Sequence, residues 1–274
     1  MAIRLVALDL DGTALDSRAE LRPSVVAAVA RAHERGVRVV ACTGRRYRTA
    51  LPAIRALGLE GPAVVQNGVV VRDAATGATL ARQALPHALY DRVLVAYRRV
   101  GSPLVYVDDP ATDFYYEPIE RAHAFQADYL RDHGAAGRVV DDLAQRPDVP
   151  VVMMSCMADG EALGRVHAEL RSEFGGAART HQIRNKNYRG DILEVVSPDA
   201  GKWAGVRWVC AHWGVDPSEV LAIGDDANDA EMIEHAGIGV AMANAVDAAK
   251  RVADFVVEDN DADGAAIAID RFAR

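Results

Sequence analysis

The chain is poor in lysine, cysteine and aromatic residues, and it has no long apolar run. Its three cysteines, Cys42, Cys156 and Cys210, are odd in number, widely spaced and set in apolar segments. That excludes a disulfide framework and a zinc site, and it fits a reducing, cytoplasmic setting. The longest apolar stretch, Val149 to Ala158, falls far short of the roughly 20 residues that a membrane helix needs. The run from Ile3 to Leu8 is interrupted by Arg4 and closed by Asp9, too short and too polar for a secretion signal. Bases are outnumbered, 31 against 39 acids, and the net charge of -8 has the wrong sign for gripping phosphate backbones without sequence preference. Nucleic acid is therefore not an expected partner. With 22 Gly and 11 Pro in 274 residues, half of them hydrophobic, collagen-like and disordered classes are excluded as well. Only Lys186, Lys202 and Lys250 are lysines, so a lysine inside a motif stands out against the arginine background.

What remains is a folded chain long enough for one large or two modest domains. The first third alternates β-branched runs and helical patterns: 3–8, 23–35, 37–42, 46–57 and 63–66. The last third repeats the rhythm from 192–196 and 202–213 through 220–223, 229–235, 238–241, 245–252 and 255–257 to a closing helix from Ala262. Such alternation predicts an α/β domain, a Rossmann-like, doubly wound parallel sheet covered on both faces. Between these parts the period changes. A hairpin around 73–78 leads into a mixed segment of helices (87–99, 120–131, 161–174) and strands (104–107, 149–156). The expectation is a discontinuous core, 1–83 and 190–274, split by an α+β insert spanning 84–189.

Polar chemistry clusters where predicted strands end. Asp9-Leu10-Asp11-Gly12-Thr13 closes the first strand, and residues i and i+2 of an extended chain point the same way. Two adjacent carboxylates repel, so the pairing is costly unless a cation or a proton transfer needs both, although Asp-Gly-Thr is also an ordinary turn. Thr43-Gly44-Arg45 follows the second strand and offers a hydroxyl and an amide to an anion, or merely a helix cap. Lys202 opens a helix, where a cation opposes the macrodipole unless an anion lies nearby. Gly224-Asp225-Asp226-Ala227-Asn228-Asp229 is a hard-oxygen cluster of the kind that holds Mg²⁺, with Asp226 or Asn228 also able to cap the next helix. In an open parallel sheet, strand ends gather at one edge, where ligands bind. Carboxylates, a hydroxyl and a lysine in that crevice suit Mg²⁺-assisted phosphoryl transfer.

With these four motifs in this order, the sequence resembles the haloacid dehalogenase superfamily, specifically the Cof-type phosphatases with an inserted C2-type cap. Gln66-Asn67-Gly68, Ala241-Met242-Ala243-Asn244-Ala245 and Asp263-Gly264 extend the resemblance, and Ala14 departs from it where leucine is usual. The resemblance implies a phosphatase acting on a small phosphomonoester, such as a sugar phosphate or a phosphorylated cofactor. It implies Asp9 as nucleophile forming an aspartyl-phosphate, and Asp11 as the acid that protonates the leaving oxygen and the base that then activates water. Mg²⁺ would be held by Asp9, the Asp11 carbonyl and Asp225, with Asp229 ligating directly or orienting waters. The phosphate would rest on Thr43, Lys202, the Leu10 and Gly44 amides and Asn228.

Two other readings use overlapping parts. A phosphosugar mutase shares the aspartyl-phosphate but returns the phosphoryl group to its product. A receiver-like, phosphate-sensing module also combines strand-end aspartates, a threonine and a lysine, but an acid-base at position 11 would hasten loss of the acyl phosphate that a receiver keeps. The segment 179–189 has four bases and no acid, and Arg184 and Lys186 could face an anionic substrate, although a solvated strand face is the plainer reading. Phe114-Tyr115-Tyr116 is read as packing and His123, His133, His167 and His212 as structural. Oligomeric state leaves no mark in the sequence.

Overall fold

The computed structural model describes residues 2–184 and 188–274, and the chain divides into two compact units, Met1–Ala81 with Gly201–Arg274, and Arg82–Ala200. The chain starts with β1 (Leu5–Leu8), α1 (Pro23–Glu34), β2 (Arg38–Ala41), α2 (Tyr47–Ala56), β3 (Pro62–Val65), β4 (Val70–Asp73) and β5 (Thr79–Arg82). It continues through α3 (His87–Arg98), β6 (Ser102–Val107), β7 (Phe114–Tyr116), α4 (Ala124–His133), β8 (Gly137–Val139), β9 (Val151–Ala158), α5 (Gly160–Phe174), β10 (Arg179–Arg184) and β11 (Asp191–Val196). The return comprises α6 (Lys202–Trp213), β12 (Val220–Gly224), α7 (Ala230–His235), β13 (Ile238–Met242), α8 (Asp247–Val252), β14 (Phe255–Val257) and α9 (Gly264–Phe272).

The first unit is built on a parallel sheet in the order β14-β13-β12-β1-β2. Every residue of β1 is buried, as expected of a central parallel strand with both faces covered. Leu5 and Ala7 meet Trp203, Val206, Val209 and Cys210 of α6 on one face. Alternation turns Val6 and Leu8 to the other side. Register pairs Leu8 with Ile223 and Ala41, so β1, β12 and β2 end level with one another. β3 touches this sheet through a single parallel bridge, Cys42 to Val64, and otherwise pairs antiparallel with β4. Short apolar runs such as 62–65 do not reveal which neighbour they will choose.

α1 and α9 are clamped to each other by a two-bond ion pair, in which Arg31 Nε and Nη2 donate to Asp270 at 2.9 and 2.5 Å. This partner holds the Asp270 carboxyl below the usual carboxylate range. A depressed folded value contributes stability that is complete above the unfolded value of about 4 and is lost as pH falls through the folded one. Asp270→Asn should therefore melt on the order of 1–2 °C lower at pH 7, an effect limited by solvent screening. The gap should narrow as pH falls below about 4 and close once the wild-type carboxylate is also neutral. Thermal melts across pH 2.5–7 check this, and a gap that widens in acid would contradict it.

The second unit holds a sheet in the order β10-β11-β9-β6-β7-β8, antiparallel except between β7 and β8. α3 and α5 cover one of its faces with Tyr97, Val93, Leu163 and Leu170 against Val105, Met154, Leu193 and Val195. One boundary differs from the sequence expectation. Residues 192–196 were expected in the core, with the return at 190, yet β11 pairs along its whole length with β10 and β9. The return therefore comes at Gly201. An apolar run does not reveal whether its partner is parallel or antiparallel. β7 and β8 leave no period in the sequence, since each has only three residues. Phe114 and Tyr115 are buried, as the packing reading required. β10 is an edge strand with Arg184 exposed, and Lys186 lies outside the described residues. His123 caps α4, accepting from the Phe125 amide at 3.4 Å, and His212 stacks on Trp208.

Candidate active site

Because β1, β2 and β12 end together, the chain leaves them at Asp9, Cys42-Thr43 and Asp225 along one edge of the first unit's sheet. Asp9 is 3% exposed and its amide is still in the ladder, donating to Ile223 O at 3.0 Å. Lys202, in the first turn of α6, is equally buried and donates to Asp9 Oδ1 and Asp229 Oδ1, both at 2.6 Å. Burial alone would lower the lysine's affinity for its proton, but the two carboxylates outweigh it and hold the ammonium charged. The unfavourable helix position anticipated for Lys202 is offset by these anions. Asp229 spends its second oxygen on the Asp225 and Asp226 amides, at 3.1 and 3.0 Å.

The carboxylates are under strain. Burial, then the charge of Asp229, pushes the Asp9 carboxyl well above its ordinary range, with Lys202 opposing. Burial, then Asp229, also raises Asp225 to about 6, against a hydrogen bond from Thr13 Oγ1 at 3.2 Å. Asp9, Asp225 and Asp229 each place a carboxylate oxygen within 4.8 Å of the others. Three hard oxygens converging where a single ammonium only partly offsets charge repulsion fit Mg²⁺, whose ligands are carboxylates, carbonyls and water. Both Asp229 oxygens already have partners, so that residue is better suited to orienting its neighbours than to direct ligation.

Around this centre the main chain comes close. Gly12 has φ of +78°, and a Cβ there would lie 2.3 Å from Asp225 Oδ2, so only glycine lets the β1 loop approach the acid. Gly68 likewise lies against Gly201 O, where a Cβ would fall at 1.9 Å, seating the 66–68 turn under the start of α6. Thr43 is fully buried and its hydroxyl accepts from the Arg45 amide at 3.0 Å, which leaves its own proton free to donate. A Cβ on Gly44 would lie 2.9 Å from Asn67 Oδ1, the atom that accepts from Asn228 Nδ2 at 2.9 Å. Leu10 is buried, its carbonyl tying the loop to Thr13 and Leu15. Asp226 caps the turn after β12 by accepting from the Ala227 amide at 2.7 Å.

The structure thus joins Asp9, Lys202, Asp225 and Asp229 directly and brings Thr43, Gly44 and Asn228 together through Asn67. Asp11 stands apart from the buried cluster, 54% exposed and paired with Arg45. Three participants had no role assigned from sequence: Arg45, Asn67 and Asn244, whose Nδ2 donates to Gly12 O at 2.8 Å. All three lie inside the strand-end motifs, and their place in those motifs is the one mark they leave in the sequence.

A family model for haloacid dehalogenase-like hydrolases matches residues 6–269. Over 287 residues the chain is 30% identical to the chloroplastic endoribonuclease YBEY of Arabidopsis thaliana, covering 97% of the chain but 46% of that protein, so it spans about half the length of this relative. It is also 30% identical over 281 residues to the pyridoxal phosphate phosphatase YbhA of Escherichia coli, covering 97% of each. A crystal structure of a haloacid dehalogenase-like hydrolase from Bacteroides thetaiotaomicron superposes with a TM-score of 0.81 at 28% identity, over 98% of this chain and 99% of the other. No helix among the described residues is long and apolar enough to cross a membrane. With the family match running from β1 to α9 through the insert, the chain belongs to the haloacid dehalogenase-like hydrolases, among their Cof-type phosphatases.

Proposed function

We propose that the chain is a cytoplasmic, Mg²⁺-dependent phosphatase that hydrolyses a small phosphomonoester, a sugar phosphate or a phosphorylated cofactor, by way of an aspartyl-phosphate on Asp9. The observation that carries this reading is the buried Asp9 held at 2.6 Å by Lys202 in the same oxygen cluster as Asp225 and Asp229. Lys202 engages Asp9 Oδ1, which leaves the second oxygen to attack phosphorus. As that bond forms, the ester P–O bond breaks and Asp11 gives its proton to the departing oxygen. Asp11, now a carboxylate, takes a proton from water as that water attacks phosphorus. The bond to Asp9 breaks and inorganic phosphate leaves. Lys202, Thr43, Asn228 and the Leu10 and Gly44 amides hold the phosphoryl oxygens in both steps. Asp9, Asp225 and the Asp11 carbonyl would hold Mg²⁺, with Asp229 orienting them, and the ion when bound would neutralise charge on the phosphoryl oxygens. The insert, residues 82–200, serves as the cap and selects the organic part of the substrate. A relative of nearly equal length named for pyridoxal phosphate supports the choice of a small phosphorylated substrate.

Phosphate release from a panel of phosphomonoesters, with and without Mg²⁺, tests the reading. Asp225→Ala should raise the Mg²⁺ concentration for half-maximal activity by about 10-fold or more while leaving the melting temperature of the metal-free protein unchanged or higher, since one repelling carboxylate is gone. With Asp225 raised to about 6, the wild-type Mg²⁺ requirement should ease from pH 5 to 7. An identical titration in the mutant would remove Asp225 from the site.

A further inference from the structure

We propose that Arg45 is a positioning residue that sets the orientation of Asp11, the acid-base of the proposed phosphatase reaction, on which this inference rests. Asp11 is the exposed member of the site, its side chain 54% accessible at the tip of the β1 loop. An aspartate so placed samples several rotamers, and general acid catalysis needs its oxygen at one position relative to the leaving group. Arg45 removes that freedom. Its Nε donates to Asp11 Oδ2 at 2.8 Å and its Nη2 to Oδ1 at 2.5 Å, the parallel two-bond arrangement that fixes the plane of a carboxylate as well as its distance. This is the ionised form; once protonated, Asp11 keeps one Arg45 bond on its bare oxygen and presents the O–H of the other to the leaving group.

Arg45 is itself held from several sides. Its amide donates to Thr43 Oγ1 at 3.0 Å, its carbonyl accepts from the Gln66 amide at 2.9 Å, and its Nη1 reaches Thr49 O of α2 at 3.4 Å. Its side chain is only 28% exposed. The segment that presents the Thr43 hydroxyl to the phosphate therefore also fixes the acid that serves the leaving oxygen, so the two ends of the scissile bond share one frame. Lysine cannot copy this, because an ammonium is a point charge without the planar fork.

The test separates this role from phosphate binding by leaving-group dependence. kcat/KM reports events up to departure of the leaving group, so an acid matters for alkoxide leaving groups and little for those stable as anions. Wild type, Arg45→Ala, Arg45→Lys, Asp11→Asn and the Asp11→Asn/Arg45→Ala double variant would be assayed on glycerol phosphate, a hexose phosphate, p-nitrophenyl phosphate and acetyl phosphate. Arg45→Ala should lose about 10- to 100-fold on the first two and less than about 3-fold on the last two, with Arg45→Lys in between. In the Asp11→Asn background, removing Arg45 should change rates by less than about 3-fold, since its effect passes through Asp11. Equal losses along the series, or an undiminished loss in the double variant, would show that Arg45 acts on the phosphate and would overturn the proposal. A flat series for Asp11→Asn would instead overturn the acid role of Asp11, and the positioning role with it. Thermal melts confirm folding, and if Arg45→Ala does not fold, Arg45→Lys and its double variant carry the same comparison.

Discussion

Asp9→Asn is expected to lose turnover by roughly 10⁴- to 10⁶-fold, the largest effect of any single substitution in this chain. The amide keeps the size and shape of the carboxylate but has no anionic oxygen to form the bond to phosphorus, so neither half of the reaction can begin. The fold should survive. Lys202 keeps Asp229 at 2.6 Å, and the substitution removes a carboxylate that burial, and then the charge of Asp229, already hold above the ordinary range. Rapid quenching with labelled substrate should trap acid-stable, hydroxylamine-labile phosphate on the wild-type protein and none on the mutant. Mass spectrometry must exclude reversion by deamidation, since a trace of restored aspartate would mimic residual activity. Substantial turnover in verified Asp9→Asn, or label on another residue, would show the nucleophile to be misassigned.

Lys202→Met should damage both activity and stability, and the two losses have one cause. In the native protein a single buried ammonium is shared by Asp9 and Asp229. Removing it leaves two carboxylates in an apolar setting without their cation, and breaking a buried pair from one side typically costs about 3–5 kcal/mol. The cost should depend on pH. A carboxyl whose folded value is raised binds more protons folded than unfolded, so stability falls as pH rises from the unfolded value of about 4 through the folded one. Asp9 is already raised in the presence of Lys202, and losing the lysine moves it further in the same direction. Lys202→Met should therefore melt closest to wild type near pH 5 and furthest below it near pH 8. Activity should fall by about 10²- to 10³-fold on every substrate, small or large, because in the proposed reaction the lysine acts on the transferred group and not on the leaving group. A pH-independent stability loss, or a loss confined to some substrates, would contradict this account.

Much of the chemistry was legible in the chain because it depends on local order. Asp9 follows four consecutive buried residues, and a short apolar run closed by an acid reads as a strand end whatever the rest of the fold does. Lys202 stood out through the scarcity of lysine and its costly place at a helix start. The crowding of Asp225, Asp226 and Asp229 behind an apolar strand likewise pointed to a cation-binding edge. These inferences need only the two-residue period of strands and the tendency of parallel strands to end together.

Partnership between distant segments was decided by tertiary structure alone. Residues 192–196 form a strand in either reading, but whether they belong to the parallel core or lie between β9 and β10 depends on edges that the run itself does not encode. The same holds within the site. That Arg45 grips Asp11 across 34 positions, or that Asn67 meets Asn228 across 161, follows from where two loops land once the sheet is closed. Nothing in either loop's composition favours one partner over solvent. The sequence by itself determined which groups stand at the strand ends, because backbone periodicity and burial are local. Only the packed sheet decided which of them share a hydrogen bond, an ammonium or a fixed orientation, because those interactions require distances of about 3 Å that no single segment can set.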